Sequence, residues 1–266
     1  MKISIITVVR NEENTIEDTI LSVINQTWQD IEYIIIDGKS TDKTLDIISK
    51  YKDKIASVIS EPDSGIYNAM NKGIKIATGD FLIFLNGNDT FYENKTIENC
   101  AKAIQKYPDC KMLIGNVRYT NRDYTYYMPE IKYHNNIRTI YDWIDKKYNH
   151  QAIFYSKKVF EKYGLYNENL KMLSDNLLNL EVIKNKEHII YTNAIISNFA
   201  LGGFSSNFDN ILLLKEENKI IAKKSKVNWF VKNIIKTVKY FLPDIYSQIE
   251  PKIMLNITDI KDINFV

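Results

Sequence analysis

The sequence predicts an α/β fold in which a mostly parallel sheet is flanked by helices. Five consecutive apolar residues, Phe81–Leu85, are too few for a helix and lack the alternation of a half-exposed strand, so they predict a strand buried on both faces. The order of strand, polar turn and helix then repeats along residues 1–117. Strands that alternate with helices are typical of a parallel sheet with right-handed crossovers.

The elements of this first half follow one another in a regular order. The predicted strands are Ile3–Val9, Ile31–Ile36, Ala56–Ser60, Phe81–Leu85 and Met112–Val117. The first helix is expected to begin with a capping box formed by Asn14 and Glu17. The clearest helix begins at Ile66, because apolar residues at helical spacing trace one face until Gly79 ends it. Its opposite face carries Tyr67, Asn68, Asn71 and Lys72.

The regular order ends after Val117. Residues 118–148 are dense in tyrosine, asparagine and arginine, which predicts short strands and loops. The tyrosines suit stacking against sugar rings, but they also suit an ordinary half-exposed sheet, and both interpretations stay open. The later predicted elements are a strand at His150–Tyr155, helical segments at Lys157–Tyr163 and Leu177–Ile183, a strand at Tyr191–Phe199 and a flexible loop at Gly202-Gly203.

The chain from about residue 207 has a helical pattern. Residues 223–242 form a basic amphipathic stretch that Pro243 ends, with apolar side chains on one side and lysines on another. Such a helix suits a membrane interface, and it also suits packing against the rest of the protein. The two interpretations remain open.

Composition excludes several classes of protein. Lys and Arg number 35 against 33 Asp and Glu, so the net charge of +2 provides no field that would attract nucleic acid. Cys100 and Cys110 lack metal-ligand spacing and are expected to be reduced thiols. No signal-peptide pattern and no stretch of about 18 apolar residues is found, so the expected compartment is the cytoplasm. Nothing in the pattern indicates an oligomeric state.

Three acidic residues follow predicted strands, at the edge where open α/β sheets bind their ligands. They are Asp37, Asp63 and Asp89. A single Asp at a strand end is usually a turn residue, but three at one edge point to a ligand. A hard cation such as Mg²⁺ or Mn²⁺ prefers carboxylate and phosphate oxygens and is often held by only one or two carboxylates. Such a cation at this edge would neutralise the charge of a diphosphate leaving group.

Four ordered segments carry a resemblance to a known family. They are Ile5 to Asn11 with Gln26-Thr27, Ile36 to Asp42, Asp63 to Gly73, and Gly79 to Asp89. In this order and spacing the chain resembles the family 2 glycosyltransferases with the GT-A fold, and among them the bacterial enzymes that build surface polysaccharides. The resemblance covers most of residues 1–204.

The resemblance implies an inverting transfer from a nucleotide-sugar donor to a glycan or lipid-linked acceptor, assisted by Mn²⁺ or Mg²⁺. It implies that Asp89 binds the metal and that Asp175, in Ser174-Asp175-Asn176, takes the proton of the acceptor hydroxyl. The implied donor-binding residues are Thr7, Val8, Arg10, Asp37, Asp63, Asn71, Asn86 and Asn88. The residues implied near the acceptor or the diphosphate are His150, Gln151, Gly202 and Gly203.

The same resemblance implies a division of the chain. Residues 1–206 would form the catalytic domain, with a nucleotide-sugar-binding half at 1–117 and an acceptor-binding half at 118–206. Residues 207–266 would form a C-terminal helical extension that associates with a membrane surface or packs on the domain, so the expected location is cytoplasmic or peripheral at the inner face of the cell membrane.

The chain departs from the family pattern at four places, two of which are Asn68, where the subgroup often has Asp, and Asn176, which follows Asp175 in place of an acid or an aromatic residue. Asn86-Gly87-Asn88-Asp89 keeps one carboxylate where many members have two, so metal binding would be weak or would depend on the diphosphate. Lys39 stands where the second-strand motif usually has a small residue. Asp175 has the alternative role of a helix cap, and His150 that of a satisfied core histidine.

Other functional classes fit less well. A dinucleotide-dependent dehydrogenase requires G-x-G-x-x-G after the first strand, and Thr7 to Asn11 contains no glycine. A sugar-phosphate nucleotidyltransferase normally has a glycine-rich basic loop at the same place. The remaining alternative is a catalytically weak or inactive nucleotide-sugar-binding protein, which the single acid of residues 86–89 makes plausible.

Overall fold

The described part of the chain forms one mixed sheet with helices on both faces, which confirms the predicted α/β class. The structure is a computed structural model that describes residues 1–120, 148–201, 210–225 and 263–265. Its strands are β1 Ile3–Val9, β2 Ile31–Asp37, β3 Ser57–Ser60, β4 Phe81–Phe84, β5 Thr90–Phe91, β6 Met112–Thr120, β7 Ile153–Ser156, β8 Ile189–Ala200 and β9 Ile263–Phe265. Its helices are α1 Ile16–Ile24, α2 Thr44–Ser49, α3 Ile66–Ile76, α4 Thr96–Gln105, α5 Lys157–Tyr163, α6 Ser174–Lys184 and α7 Ile211–Ser225.

Two apolar layers cover the two faces of the sheet. Because successive side chains of a strand point to opposite faces, Ile3 and Ile5 of β1 join one layer and Ile6 and Val8 join the other. The first layer includes buried residues of α1 and α4, and the second includes those of α3, α5 and α6. Helices on both faces explain why β1, β2 and β4 are largely apolar and buried on both sides.

The order of the strands is β3-β2-β1-β4-β7-β6-β8-β5, with β9 beside β8. β1 to β4 are parallel to one another, as alternation with helices predicts. β7 is antiparallel to both of its neighbours, β4 and β6. A strand that runs the opposite way begins at the edge where its neighbours end. The segment before β7 therefore lies beside the segment after β4.

Two local predictions are wrong. The expected capping box at Asn14 does not form, because α1 begins one residue later with Thr15 as its N-cap. The Thr15 hydroxyl instead donates to the Gly87 carbonyl at 3.1 Å, which joins the start of α1 to the loop after β4. The strand predicted from His150 begins only at Ile153, because residues 150–152 form a 3-10 turn.

The described parts of the C-terminal extension are helix α7 and strand β9. β9 pairs in parallel with β8, an element that no sequence pattern indicated. Most of the basic stretch 223–242 lies outside the described residues. Of the short strands and loops predicted at 118–148, residues 121–147 also lie outside them. None of the helices in the described ranges has the length and apolar composition needed to cross a bilayer.

The two cysteines agree with the prediction of reduced thiols. Cys100 and Cys110 are both free and buried. Burial raises the pKa of each thiol to about 12, so both remain protonated and unreactive at neutral pH.

Glu32 connects the starts of β1, β2 and β4. These starts lie at the edge of the sheet opposite the strand ends that carry Asp37 and Asp89. Its carboxylate accepts hydrogen bonds from the Ser4 hydroxyl at 2.6 Å, from the Thr78 amide and hydroxyl at 2.7 and 2.6 Å, and from Lys2 at 3.2 Å. Burial alone would raise the pKa of Glu32, but these hydrogen bonds outweigh it and lower the pKa to about 2.

We expect Glu32→Gln to remove part of the pH dependence of stability. A carboxyl whose pKa falls from 4.5 to about 2 on folding stabilises the fold above pH 4.5, and this contribution is lost as the pH falls towards 2. Between pH 6 and pH 2 the free energy of unfolding of the wild type should fall by about 3 kcal/mol more than that of the variant. Denaturant titrations at several pH values measure this difference, and parallel profiles for the two proteins would contradict it.

Candidate active site

The carboxyl ends of the first four strands meet at one edge, where backbone hydrogen bonds connect the loops that follow them. The Gly38 amide donates to the Val9 carbonyl at 2.8 Å, and the Gly87 amide donates to the Val8 carbonyl at 3.0 Å. The Glu61 amide donates to the Asp37 carbonyl at 3.0 Å. The polar residues after β1, β2, β3 and β4 therefore share one neighbourhood, as expected for a ligand site in an open α/β sheet.

The loop after β1 is joined to the loop after β2 through Asn11. Its amide donates to the Ser40 hydroxyl at 2.8 Å, and its side-chain oxygen accepts from the Thr41 amide at 2.8 Å. Asn11 and Lys39 have φ angles of 54° and 58°, in a region that residues other than glycine rarely adopt. Glycine would relieve the backbone at position 39, because it lacks the Cβ atom that makes a positive φ unfavourable.

Asp37 organises the strand ends from within the protein. It is fully buried, and its carboxylate accepts from the Ser40 amide and hydroxyl at 3.0 and 2.5 Å and from the Ser60 hydroxyl at 2.6 Å. These contacts fix the loop after β2 against the end of β3. A contact of Asp37 with ribose stays a prediction.

Arg10 and Asp63 approach each other across Gly38. A Cβ atom added at Gly38 would lie 2.9 Å from an Asp63 carboxylate oxygen and 3.4 Å from the Arg10 side chain. Asp63 also accepts a hydrogen bond from Lys72 of α3 at 2.5 Å. Arg10 is exposed at this edge, so its guanidinium is accessible to a charged ligand.

Asp89 is almost fully buried below the loop that follows β4. One carboxylate oxygen accepts from the Gln151 side-chain amide at 2.9 Å and the other from the Ala200 backbone amide at 2.9 Å. Burial raises the pKa of Asp89 to about 6, although these hydrogen bonds and the nearby His150 partly offset that effect. The residue therefore remains largely ionised at neutral pH.

Asp175 lies in the first turn of α6 and is also buried. One of its oxygens accepts from the Tyr67 hydroxyl at 2.9 Å and from the Asn176 amide at 2.8 Å. The other oxygen lies 3.2 Å from His150 Nδ1. The N-cap of α6 is Leu173, two residues earlier, so Asp175 does not occupy the cap position that its alternative interpretation required.

His150 and Gln151 connect these two carboxylates. They are consecutive in sequence, and His150 contacts Asp175 while Gln151 contacts Asp89. The antiparallel direction of β7 is the cause, because it brings the turn that precedes β7 to the edge where β4 ends. One turn thus contacts two buried carboxylates through consecutive side chains.

Thr7, Val8 and Asn71 are buried and contact other parts of the protein. The Thr7 hydroxyl is fully buried and lies 3.2 Å from the Tyr33 hydroxyl, and the Val8 side chain belongs to the core. The Asn71 amide nitrogen donates to the Tyr166 carbonyl and to Glu168, and its oxygen accepts from the Tyr166 amide. Its polar atoms join α3 to the segment before α6, and a contact of Thr7, Val8 or Asn71 with the nucleotide stays a prediction.

The loop after β4 offers oxygen atoms that suit a hard cation. Asn86 Oδ1 is buried and has no hydrogen-bond partner among the described residues, and Asn88, half-buried, lies directly before Asp89. Within the described ranges no group of three or more His, Cys, Asp or Glu side chains is placed to hold a metal. One carboxylate and one amide oxygen fit a Mg²⁺ or Mn²⁺ ion that takes its other ligands from water and a diphosphate.

Sequence reasoning missed two contacts in this site and leaves one loop untested. The position of Tyr67 on the predicted polar face of α3 indicated that its hydroxyl has a polar partner. That partner, Asp175, could not be identified because it is 108 residues away in sequence. Nothing in the sequence indicated that the Ala200 amide contacts Asp89, because almost every residue has a backbone donor. Gly202 and Gly203 lie outside the described residues, directly after Leu201.

A family model described as "Glycosyl transferase family 2" matches residues 4–164. The match contains the four strand ends, the loop that carries Asp89, and the His150-Gln151 turn. It ends before Asp175.

One relative and two solved structures cover more of the chain than this family model does. A "PGL/p-HBAD biosynthesis glycosyltransferase" from Mycobacterium bovis strain BCG is 30% identical over 203 residues, which cover 73% of this chain and 75% of the relative. TarS 1-349 from S. aureus, solved in complex with UDP, has a TM-score of 0.66 at 17% identity and covers 91% of this chain and 73% of its own. The mannosyltransferase PcManGT from Pyrobaculum calidifontis, solved with GDP-Man and Mn²⁺, has a TM-score of 0.61 at 13% identity, with coverages of 97% and 81%. At these identities the two structures show that the fold is GT-A.

We expect Gly38→Ala to weaken the binding of a nucleoside diphosphate by about tenfold while the fold remains intact. The added methyl group would force apart Asp63 and Arg10, which lie on the exposed edge, and the φ angle of Gly38 is one that alanine accepts. Calorimetric titration with UDP and with GDP measures the affinity, and thermal unfolding checks the fold. An unchanged affinity for whichever nucleotide binds the wild type would show that this edge does not contact the nucleotide.

Proposed function

The chain belongs to glycosyltransferase family 2, and we propose that it is an inverting enzyme that moves a sugar from a nucleotide-sugar donor to a glycan or lipid-linked acceptor. One observation carries the proposal. Asp89 and Asp175, two buried carboxylates, are held by the consecutive residues Gln151 and His150 at the ligand-binding edge of the sheet. Inverting transfer needs two such groups, one on the side of the leaving group and one on the side of the acceptor.

The donor would bind across the ends of β1, β2 and β3. Arg10 is exposed there and supplies positive charge, while Asp63 and the loops ordered by Asp37 supply acceptors for base and ribose. The solved GT-A structures contain UDP or GDP-Man, which supports a nucleotide-sugar as the donor class.

Asp89 and Asn86 would hold a Mg²⁺ or Mn²⁺ ion, with Asn88 beside them. When bound, the cation supplies positive charge to the departing diphosphate. Gln151 and the Ala200 amide keep the Asp89 carboxylate in one orientation, which is the role of outer donors around a metal ligand.

Asp175 would act as the general base. Its oxygens accept from Tyr67 and lie near His150 Nδ1, so two side chains fix their direction. As the acceptor oxygen bonds to the anomeric carbon, its proton passes to Asp175. The bond from that carbon to the diphosphate breaks with its electron pair on the diphosphate, and attack from the opposite face inverts the configuration.

His150 would orient the acceptor as well as the base. With its Nδ1 hydrogen directed at Asp175, its Nε2 carries a lone pair, and this atom is buried without a hydrogen-bond partner among the described residues. An acceptor hydroxyl that donates to Nε2 would lie next to the carboxylate that receives the reacting proton.

The relative from Mycobacterium bovis is named for PGL/p-HBAD biosynthesis, which supports an acceptor of the cell-surface glycan or glycolipid class. Such an acceptor would bring the enzyme to the inner face of the membrane. The basic residues between 223 and 242 are the part of the sequence that would contact it.

The second candidate function is binding of a nucleotide-sugar without turnover. The single acid in Asn86-Gly87-Asn88-Asp89 favours it, since the cation then has few protein ligands. An assay for free nucleoside diphosphate, with a panel of nucleotide-sugars and with or without Mn²⁺, separates the two candidates. Donor binding without release of the diphosphate from any donor and acceptor would support the binding protein.

We expect Asp175→Asn to lower kcat by about 10²- to 10⁴-fold, because the amide cannot accept the proton. The affinity for the donor should change by less than about threefold, since Asp175 lies on the acceptor side. Steady-state kinetics and donor titrations measure both quantities. Asp53→Asn, an exposed carboxylate on the turn before β3, is the matched control. A variant Asp175→Asn with nearly normal kcat would remove Asp175 from the base role.

We expect chelation to abolish turnover and added Mn²⁺ to restore it. Gln151→Ala should raise the Mn²⁺ concentration needed for half-maximal turnover by about 10- to 100-fold, because Asp89 loses the donor that orients it. Mn²⁺ titrations of kcat for this variant, with the exposed Gln105→Ala as control, measure the shift. Equal turnover with and without the chelator, or an unchanged requirement in Gln151→Ala, would contradict the assigned metal site.

A further inference from the structure

We propose that Glu217, on helix α7 of the C-terminal extension, positions Asp175 by holding the segment that leads into α6. This inference rests on the proposed role of Asp175 as the base. Glu217 is a positioning residue in this proposal, because it touches the chain before Asp175 and not the reacting atoms. No motif in the sequence assigned it a role.

Three consecutive backbone amides donate to the Glu217 carboxylate. The amide of Lys171 donates to one oxygen at 2.5 Å, and those of Met172 and Leu173 donate to the other at 2.9 Å each. These amides come directly before Ser174, the first residue of α6, and Asp175 follows it. One side chain therefore fixes the orientation of three successive peptide groups that precede the base.

The contact is buried, which makes it costly to lose. Glu217 is 3% exposed, and a buried carboxylate without donors is strongly unfavourable. An apolar cluster lies around it, in which Leu214 and Ile221 of α7 pack with residues of the 170–180 segment. Leu214, Glu217 and Ile221 have spacings of three and four, so they share one face of α7. The carboxylate also lies at the amino-terminal end of α6, where the helix dipole favours negative charge.

The neighbouring Glu216 provides a contrast on the same helix. It is exposed, with a side-chain exposure of 67%, and it pairs with Lys219 at 2.7 Å. Two adjacent glutamates thus differ in their surroundings, and only Glu217 of this pair is directed at the segment before Asp175. Helix α7 of the extension therefore supports the catalytic site through Glu217.

Glu217→Gln and Glu217→Ala test the proposal, with Glu216→Gln as the matched control. Hydrogen exchange measured by mass spectrometry should show faster exchange of amides 171–173, by about tenfold or more, in Glu217→Ala and a smaller increase in Glu217→Gln. We expect kcat to fall by about 10- to 100-fold in Glu217→Ala, because small displacements of a catalytic group cost about this much. The affinity for UDP or GDP should remain within about twofold of the wild type, and Glu216→Gln should change none of these quantities.

A double-mutant cycle separates a positioning role from a general structural one. If Glu217 acts through Asp175, Glu217→Gln should lower kcat in the wild-type background and have little further effect in Asp175→Asn. Equal losses in the two backgrounds would overturn the proposal, and so would faster exchange at 171–173 with kcat within twofold of the wild type. Unchanged exchange would show that Glu217 does not hold the segment.

These outcomes are distinct from failure of the proposed function. If Asp175→Asn retains wild-type turnover, the base assignment is wrong and the positioning role falls with it, whatever the exchange data show. If Glu217→Ala does not fold, Glu217→Gln keeps the shape and one acceptor oxygen and decides the question alone.

Discussion

A buried carboxylate must be surrounded by donors, and this requirement determines the geometry of the whole site. Asp89 and Asp175 are more than 80 residues apart in sequence, yet consecutive residues, Gln151 and His150, supply a donor to each. The reversed direction of β7 makes this arrangement possible, since it brings the turn before that strand to the carboxyl ends of the parallel strands. The core, the sheet order and the two acidic groups therefore depend on one another.

The strands and the ligand-binding edge could be predicted because they depend on local patterns. Runs of apolar residues predicted the bounds of β1, β2 and β4 to within one residue. Asp37, which ends β2, and Asp89, which follows β4, lie at the expected edge of the sheet. The direction of β7 could not be predicted, because an apolar run has the same pattern in either direction. Alternation of helices and strands favours the parallel choice. β7 departs from it, and so does the short strand β5, which is antiparallel to β8.

Side-chain partners were harder to predict than elements, because polar residues serve either a ligand or the fold. Asn71 belongs to a motif of the family, and its amide joins α3 to the segment at 166–168. Tyr67, on the same helix, contacts Asp175 instead. Glu217 has the sequence context of a solvated helix face, and only the packing of α7 distinguishes it from Glu216. Long-range contacts of this kind leave no periodic signal.

The central claim is that Asp89 and Asp175 flank one reacting centre. A crystal structure with a nucleoside diphosphate and Mn²⁺, in which anomalous scattering locates the metal, tests it most directly. The account predicts that the ion contacts Asp89 and the diphosphate, that the nucleoside lies over the ends of β1 to β3, and that Asp175 faces the space beyond the terminal phosphate. A metal and diphosphate bound away from Asp89, or an Asp175 directed away from that space, would contradict it.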